Sequence, residues 1–412
     1  MDALKNVDQY AILEISSTSL VVKVVESKVE AVQRLKDRYF NVLLRKGRKF
    51  LVTKVTSMDN LEGNLAILDN LPDSKVVPSV LERSGKFSFS KTDQGIMNFM
   101  GDASRVAPLL NSRFPIYGTL TSTVITKRLV TSSGFEGEET RTWFQGYFRA
   151  KNGDYSGQWA FASTDYDERK IKASLERAEE FASYTGKIDV SDGVYDVILS
   201  PLTMGNLMMS TAYLASGYSI ITGNSFLSNK RIGEQVASEK FTLRDIPKGE
   251  ELNSWEFDDE AVPTMNKSIV ERGKYVSPLL NLEVAEVMDM KSTGNAGWVY
   301  PRPWTLEVSP GEVGEGSLMD GNVILFNNNW YTRFQNRTEG QFSTVGRDAT
   351  LVIRNGKPVG VAGRVRIADK LGNLLSNIYE LSKERYSVAW WDAPLPGVYP
   401  YALIKNVHLS KA

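Results

Sequence analysis

The 412-residue chain is longer than one hydrophobic core normally supports, so two domains are expected. Its 49 basic and 49 acidic side chains cancel, and no run of Lys and Arg supplies the positive field on which nucleic-acid binding mostly depends. The absence of cysteine excludes disulfides, a thiolate nucleophile and a thiolate zinc site, and the single histidine, His408, excludes a two-histidine zinc site within one chain.

Residues 1–30 contain no continuous apolar segment, because Lys5, Glu14, Lys23 and Glu26 interrupt short apolar groups. The segment also lacks the small-residue cleavage signal of a secreted protein. We therefore expect a cytoplasmic location.

Strand-like runs dominate the N-terminal region. Runs of β-branched and large apolar residues predict strands at 10–15, 20–25, 39–44, 50–55, 117–130, 140–150 and 155–163. Residues 26–38 have an apolar spacing that fits a helix, but the run is short, and a strand pair joined near Lys28 fits it equally. The tetrapeptide 88–91 matches a Ser-x-x-Lys nucleophile pattern, which we interpret as a coincidence in a polar loop.

Two helices are predicted between the strand at 50–55 and the strand at 117–130. The first covers 60–71 and stops at Pro72. The second covers 92–110, where Asp93 is suited to cap the helix start. Its predicted apolar stripe comprises Ile96, Phe99 and Met100.

An amphipathic helix is predicted at 165–184, with Gly186 placed to end it. Its inward-facing residues are Ile171, Leu175, Ala178 and Phe181. The short polar segment 185–193 is the candidate domain boundary, which divides the chain into an N-terminal α/β-type domain, 1–187, and a C-terminal domain, 188–412.

The stretch 197–229 contains no charged residue, so it is either buried or embedded in a membrane. Two features argue against a bilayer span: Pro201, Gly205, Gly217 and Gly223 interrupt the stretch, and polar side chains are scattered through it. The pattern instead predicts a core strand at 195–199, a break at Pro201 and a buried helix at 205–216. Its predicted inward face comprises Leu207, Tyr213 and Leu214, widened by Met208 and Met209.

Short strands and turns follow. Strands are predicted at 304–308, 322–326, 330–334, 349–354, 357–366, 386–389 and 401–408, with a strand or short helix at 276–289 and a helix at 368–380. Many short strands with glycine-bearing turns indicate a curved, largely antiparallel sheet or partial β-barrel. The fold class is therefore α+β.

Two further clusters are open to a functional interpretation. Asp258, Asp259 and Glu260 could hold a hard cation, but a solvated loop or helix start explains such a cluster more simply. The pair Trp390 and Trp391 could line a groove, although buried core is the commoner use of such rings.

A series of short motifs in a fixed order indicates a protein family more specifically than any single motif does. In order along the chain these are YDVILSP (195–201), Gly205, NSFL (224–227), Gly233, FTLRD (241–245), FDDE (257–260), STGNA (292–296), TEGQFS (338–343), IRNG (353–356) and VRI (365–367). The series resembles the C-terminal domain of the TldD/PmbA family, whereas the N-terminal half is similar in size and strand order only. One departure is Ala261, where the family usually has glycine after the Asp-Asp-Glu group.

The resemblance implies a metallopeptidase made of two related subunits. In the TldD branch a His-Glu-x-x-x-His helix, completed by a distant cysteine, binds zinc. When the helix of this chain is aligned with that motif, Met209 falls at the first histidine, Ser210 at the glutamate and Leu214 at the second histidine. A thioether is a poor zinc ligand, serine is no general base at neutral pH and leucine has no lone pair. The chain thus resembles the other branch, TldE or PmbA, which implies no metal in this chain and zinc in a partner subunit.

The expected role is that of a non-catalytic subunit that pairs with a TldD-like zinc subunit and helps to form a chamber for unfolded peptide. The dimer could be a heterodimer or a homodimer, without nucleic acid or membrane. Ser225, Phe226, Asn295 and Phe342 are the candidate residues of a shared interface or peptide groove, because apolar and amide groups occur there within the matching motifs.

Two other functions remain open at the level of the sequence. One is an independent homodimeric binding or scaffold protein. The other is a carboxylate-dependent hydrolase, for which Asp258 and Glu260 are the nominal catalytic residues.

Overall fold

The computed structural model describes residues 2–59 and 61–412 and contains two β-sheets that follow one another along the chain. The first sheet has seven strands and the second has twelve. Helices pack against both sheets, so the predicted α+β class is confirmed.

The first sheet is built from residues 9–163. Its strands are β1 (Gln9–Val25), β2 (Lys28–Lys46), β3 (Lys49–Val55), β4 (Gly85–Lys91), β5 (Ile116–Thr131), β6 (Phe135–Asn152) and β7 (Tyr155–Ser163). Their order is β3-β2-β1-β5-β6, and β4 and β7 share the outer edge of β6. Only the β4–β6 pairing is parallel among these strands. The Ser-x-x-Lys segment 88–91 therefore lies in a strand, and its prediction as a loop is wrong.

The hairpin of β1 and β2 is longer than the sequence predicts. Polar residues 16–19 separate the two predicted strands, yet they pair with β2 on one side and β5 on the other, so the backbone ladder continues through them. Glu26 and Ser27 have φ values of 49° and 58°, and they form the turn. The strand-pair alternative for 26–38 is thus the correct one, and the helical alternative is wrong.

Three helices accompany the first sheet: α1 (Leu61–Asp69), α2 (Gln94–Gly101) and α3 (Glu168–Ser183). Asp93 caps α2 as predicted, because its carboxylate accepts the amide N–H of Ile96 at 2.7 Å. The predicted helix 92–110 is wrong beyond Gly101, since Asp102 is extended and caps a separate 3₁₀ helix. The predicted inward residues of α2 and α3 are all buried.

The second sheet curls until it meets itself. Its strands are β8 (Lys187–Ile188), β9 (Gly193–Leu199), β10 (Leu243–Asp245), β11 (Lys267–Glu271), β12 (Lys274–Tyr275), β13 (Leu306–Val308), β14 (Val323–Asn336), β15 (Gln341–Arg354), β16 (Lys357–Ala362), β17 (Val365–Lys370), β18 (Ile378–Trp390) and β19 (Ala393–Lys411). The pairings β19–β9, β9–β14, β14–β15, β15–β17 and β17–β19 form a closed ring. The expected curved, largely antiparallel sheet or partial barrel is therefore confirmed.

Four short helices belong to this half: α4 (Pro201–Leu214), α5 (Gly217–Ile221), α6 (Leu282–Val287) and α7 (Leu371–Ser376). The predicted helix 368–380 is wrong outside α7, because its ends belong to β17 and β18. The predicted strands 322–326 and 330–334 are one strand, β14, with register shifts between them. His408 lies on β19 with its side chain exposed.

Helix α4 lies against β14, β18 and β19 and is buried along most of its length. It begins at Pro201, so the prediction of a break there is wrong: proline occupies the first turn, where its missing N–H is not needed. Tyr213, predicted to face inward, is 48% exposed. Within residues 2–59 and 61–412 no helix is both long and apolar enough to cross a membrane.

The two sheets share one continuous core. The largest cluster of buried side chains includes Leu20 and Phe144 from the first sheet and Leu199 and Tyr399 from the second. The chain leaves the first sheet at Ser163 and enters the second sheet at Lys187, close to the predicted boundary. The division into domains 1–187 and 188–412 stays a prediction.

Gly157 of β7 packs against the backbone of α3. A Cβ atom at this position would lie 2.3 Å from the carbonyl oxygen of Ala178 and 2.5 Å from the amide nitrogen of Ala182. We expect Gly157→Ala to lower the free energy of unfolding by about 1–3 kcal/mol, measured by urea denaturation. Gly372→Ala is the matched control, because no atom lies within 4 Å of its added Cβ. Equal stability of the Gly157→Ala variant and the wild type would contradict this packing of α3 on β7.

Candidate functional site

The residues that the resemblance assigns to metal binding lie at the C-terminal end of α4. Ser200 caps the start of the helix, because its Oγ accepts the amide N–H of Leu202 at 3.1 Å. Its polar side chains are satisfied locally: Thr203 Oγ1 donates to the carbonyl oxygen of Phe326 at 3.2 Å, and Thr211 Oγ1 donates to that of Leu207 at 2.8 Å. The helix emerges from the core only in its last turns, which therefore form the accessible part.

A cleft of 360 Å³, which we call the α4 cleft, opens at this end of the helix. Its lining residues are Ser210, Tyr213, Leu214, Ser216, Ser219, Tyr300, Pro301, Phe334 and Arg337. Tyr300 is 57% exposed, and its ring centroid lies 4.4 Å from that of Tyr218. Arg337 is the one charged side chain among the lining residues. The α4 cleft thus offers aromatic rings, hydroxyl groups and one guanidinium.

These side chains do not fit a catalytic zinc ion. Met209, Ser210 and Leu214 supply a thioether, a hydroxyl and methyl groups, whereas zinc prefers imidazole, thiolate and carboxylate ligands. In the described part of the chain, no group of three or more His, Cys, Asp or Glu side chains is arranged to hold a metal ion. The α4 cleft offers contact area and hydrogen-bonding groups.

Two of the predicted interface residues are fixed inside loops. Ser225 is buried, and its Oγ accepts the amide N–H of Leu227 at 3.0 Å. Asn295 is also buried, and its Nδ2 donates to Asp245 Oδ2 at 2.7 Å and to the carbonyl oxygen of Arg302 at 2.8 Å. Both side chains hold loop conformation, and neither is open to a peptide in this structure.

The two predicted phenylalanines lie near the β14–β15 hairpin. Phe342 is buried, with its ring centroid 5.8 Å from that of Phe334, a lining residue of the α4 cleft. Phe226 is half-buried and packs against the main core. The structure does not bring Ser225, Phe226, Asn295 and Phe342 together in one groove, and their role at an interface stays a prediction.

Sequence reasoning missed Tyr300, Phe334 and Arg337 as residues of the cleft. They come from a loop and a strand far from α4 along the chain, and only the curl of the second sheet brings them together. Tyr213 was identified on the helix but assigned to the wrong face. The absence of charge in 197–229 predicts burial of the whole stretch. It does not predict that the C-terminal end of α4 is exposed.

The acidic cluster is buried, so its prediction as a solvated loop is wrong. Asp258 Oδ1 accepts the amide N–H groups of Glu260 and Val262, each at 2.9 Å, and Oδ2 accepts that of Ala296 at 2.9 Å. Ala261 has a φ of 66°, the left-handed region that favours glycine. The cluster therefore shapes a tight turn, and its hydrogen bonds hold a conformation that costs alanine about 1 kcal/mol or more.

Asp259 connects the turn to β5 of the first sheet and to the loop that contains Arg302. Its two oxygens each lie 3.0 Å from Arg302 Nη2, and its Oδ1 lies 3.7 Å from Lys127 Nζ of β5. Lys127 Nζ also donates to the carbonyl oxygen of Phe257 at 2.7 Å. Burial lowers the pKa of Lys127, and the Asp259 carboxylate opposes that shift.

Glu260 forms a second buried pair with Glu283 of α6. Glu260 Oε2 accepts the amide N–H of Leu282 at 2.8 Å, and Glu283 Oε1 accepts Asn281 Nδ2 at 2.8 Å. The other oxygen of each carboxyl group is buried without a donor. Burial, with the charges of Asp258 and Glu283, raises the pKa of Glu260 well above its usual value, and burial raises the pKa of Glu283 to about 7. We expect the pair to hold one proton, through which one carboxyl group would donate to the other.

Asp258 and Glu260 are poorly placed for the carboxylate-dependent hydrolase. Both side chains are fully buried, and neither lines the α4 cleft. Burial raises the pKa of Asp258 to about 6, but a general acid or base must also reach water and substrate. Their geometry supports a structural role.

Comparison with known proteins decides the family. A family profile described as the PmbA/TldA metallopeptidase C-terminal domain matches residues 192–411, which is more than half of the chain. The chain belongs to the TldD/PmbA family. The suspected resemblance is thus confirmed, and the matched region contains the ring of strands, α4 and the α4 cleft.

Relatives within the TldD/PmbA family are named metalloproteases. A metalloprotease of Synechocystis is 24% identical over 213 residues, which cover 49% of this chain and 44% of that protein. A metalloprotease of Methanothermobacter thermautotrophicus is 31% identical over 105 residues, or 25% of this chain and 23% of that protein. The matches therefore span less than half of these relatives.

The whole fold is similar to solved structures of the same family. TldE from Thermococcus kodakarensis superposes with a TM-score of 0.79 over 99% of this chain and 98% of that chain, at 17% sequence identity. The similarity extends through the first sheet, which the family profile does not cover. At this identity the comparison shows the fold.

The Glu260–Glu283 pair predicts a pH-dependent stability. Because both folded pKa values lie above those of the unfolded chain, the native state holds protons that the unfolded state releases, and stability falls as pH rises from about 4.5 to 7. Glu283→Gln cannot ionise, and its amide can donate to Glu260. We expect this variant to be more stable than the wild type at pH 8 by about 1–3 kcal/mol and to lose less stability between pH 5 and pH 8.

The measurement is urea denaturation at both pH values. Glu286→Gln is the matched control, because Glu286 lies on the same helix with its side chain exposed. An equal loss of stability in the Glu283→Gln variant and the wild type would contradict the shared proton.

Proposed function

We propose that this chain is a non-catalytic, TldE-like subunit of a peptidase whose zinc is held by a TldD-like partner, and that it helps to enclose unfolded peptide. The observation that carries the proposal is the α4 cleft. It lies in a fold whose relatives are named metalloproteases, yet Met209, Ser210 and Leu214 supply no zinc ligand set.

The α4 cleft supports a role in holding peptide or partner chain. Tyr213 and Tyr300 expose aromatic rings beside Phe334, and such rings contribute large contact area at low conformational cost. Arg337 adds a donor for carbonyl or carboxylate oxygens. The cleft would contribute binding, while bond cleavage belongs to the partner.

An open sheet edge supports a role in assembly. Residues 32–38 of β2 are seven consecutive exposed residues, and they include the apolar side chains Val32 and Leu35. β3 pairs with β2 only from Phe40 to Lys46, so the outer edge before Phe40 has no strand partner in residues 2–59 and 61–412. A long exposed edge can add a strand from another chain through backbone hydrogen bonds.

The same proposal includes a cytoplasmic location and no direct role in nucleic-acid binding. The formal net charge of zero supports the second point. A homodimeric scaffold protein is the second candidate function, because the open edge of β2 could pair with its own copy. The carboxylate-dependent hydrolase has no supporting observation in the structure.

Mixing the purified chain with the TldD-like subunit encoded in the same genome tests the proposal. We expect a stable complex on size-exclusion chromatography, cleavage of an unfolded fluorogenic peptide by the mixture, and no cleavage by this chain alone with added zinc. Zinc-dependent cleavage by this chain alone would contradict the proposal. A homodimer that never binds the zinc subunit would favour the scaffold.

A charged variant of the open β2 edge tests whether this edge contacts the partner subunit. Leu35→Lys places a charge on the open edge, and we expect it to weaken the complex at least tenfold, or about 1.4 kcal/mol in binding free energy. Ile67→Lys is the control, because Ile67 is equally exposed on α1. Equal effects of the two variants would argue against the edge as the contact.

A further inference from the structure

A second cleft, of 410 Å³, lies where the two sheets meet, and we call it the seam cleft. Tyr117, Tyr147, Arg149 and Gln158 line it from the first sheet, and Trp330 and Trp391 line it from the second. It shares no lining residue with the α4 cleft. Clefts between packed units of a protein are frequent ligand sites.

Aromatic rings form one wall of the seam cleft. The ring centroids of Trp330 and Trp391 lie 5.0 Å apart with their planes at 79°. The Arg149 guanidinium carbon lies 5.1 Å from the Trp330 ring centroid. Trp390 is buried as core, whereas Trp391 is 46% exposed, so the second tryptophan of the pair is free to contact a ligand.

Three hydrogen-bond donors of the lining residues have no partner. They are Arg149 Nε, Gln158 Nε2 and Trp330 Nε1, and each of these atoms is buried. The Gln158 side chain belongs to a residue that is only 1% exposed. A buried donor without an acceptor costs about 1–3 kcal/mol, so three such donors on residues that line one cleft favour a ligand that supplies acceptors.

Asp348 holds the Arg149 side chain, which in turn contacts Gln158. Arg149 Nη2 donates to Asp348 Oδ2 at 2.8 Å and to Gln158 Oε1 at 3.2 Å. Asn328 Nδ2 and Ser156 Oγ also donate to Asp348, at 2.9 Å and 2.5 Å. Because the acceptor of Gln158 is occupied by Arg149, its amide nitrogen is left as the free group. The Arg149 and Gln158 side chains are thus positioned before any ligand arrives.

The charge of the lining residues selects the kind of acceptor. Lys23 and Arg149 line the cleft, and none of its lining residues is acidic. A carboxylate next to a flat apolar group matches both the cationic donors and the aromatic wall.

We propose that the seam cleft binds the carboxyl-terminal residue of a peptide. The carboxylate accepts hydrogen bonds from Arg149, Gln158 and Trp330, and an aromatic or apolar side chain packs against Trp391. The choice of a peptide as ligand rests on the proposed function, whereas the recognition of a carboxylate rests on the seam cleft itself. The site would hold the end of a chain whose other parts reach the chamber.

Isothermal titration of the full chain with N-acetyl-Ala-Ala-Phe as the free acid and as the amide tests this inference. We expect the acid to bind at least tenfold more tightly than the amide, with the difference shrinking at high salt. Absence of binding, or equal binding of acid and amide, would overturn the proposal.

Two variants test whether the peptide acid contacts Gln158 and Trp391 of the seam cleft. Gln158→Glu keeps the acceptor for Arg149 but replaces the free donor with a negative charge, and we expect at least a tenfold loss of affinity for the acid. Trp391→Ala should weaken the Phe-ended acid more than N-acetyl-Ala-Ala-Ala acid. Full affinity in a Gln158→Glu variant that melts like the wild type would overturn the assignment.

Tyr379→Ala is the control and should leave acid binding unchanged, because Tyr379 is exposed on β18 and lines neither cleft. A Tyr213→Ala variant tests whether the acid binds in the α4 cleft instead. Since the titration requires no zinc subunit, its failure can be distinguished from failure of the two subunits to assemble. Loss of acid binding in the Tyr213→Ala variant would place the site in the α4 cleft and overturn the inference.

Discussion

Burial of a charge-free helix against the curled second sheet is the constraint on which the second half of the molecule depends. Leu202, Met204, Leu207 and Met208 of α4 are completely buried, and each such side chain contributes about 1.5–3 kcal/mol through removal from water. A charge at these positions would cost more than any one of them contributes. The helix therefore holds a fixed place in the fold, whatever its last turn carries.

Charged groups are used instead where the two sheets meet. Asp259 connects to Lys127 of the first sheet and to Arg302 of the second half, and Asp348 connects to Arg149 of the first sheet. Removing one partner of such a buried pair leaves an uncompensated charge, so these contacts are sensitive to substitution even though an intact pair adds little stability. These contacts hold the two sheets together, and Arg149 of one of them also lines the seam cleft.

The sequence identified the features that arise from local periodicity and from short motifs. It predicted a buried helix after the strand at 195–199, the cap at Asp93, the inward faces of α2 and α3 and a curved sheet. It failed where distant residues decide the outcome. Residues 16–19 are polar yet lie in a central strand, because β2 and β5 pair with them on both sides. Asp258, Asp259 and Glu260 are buried, because their partners Ala296, Arg302 and Glu283 lie elsewhere in the chain. The α4 cleft needs Tyr300 and Arg337, which no spacing rule connects to Tyr213.

The central proposal is that α4 corresponds to the helix that would bind zinc in a TldD-like subunit, and that Met209, Ser210 and Leu214 do not supply the groups for it. Anomalous diffraction at the zinc absorption edge, from crystals of this chain soaked in zinc, tests it most directly. The account predicts no ordered zinc beside Met209, Ser210 and Leu214. A strong anomalous peak within bonding distance of these side chains would contradict it.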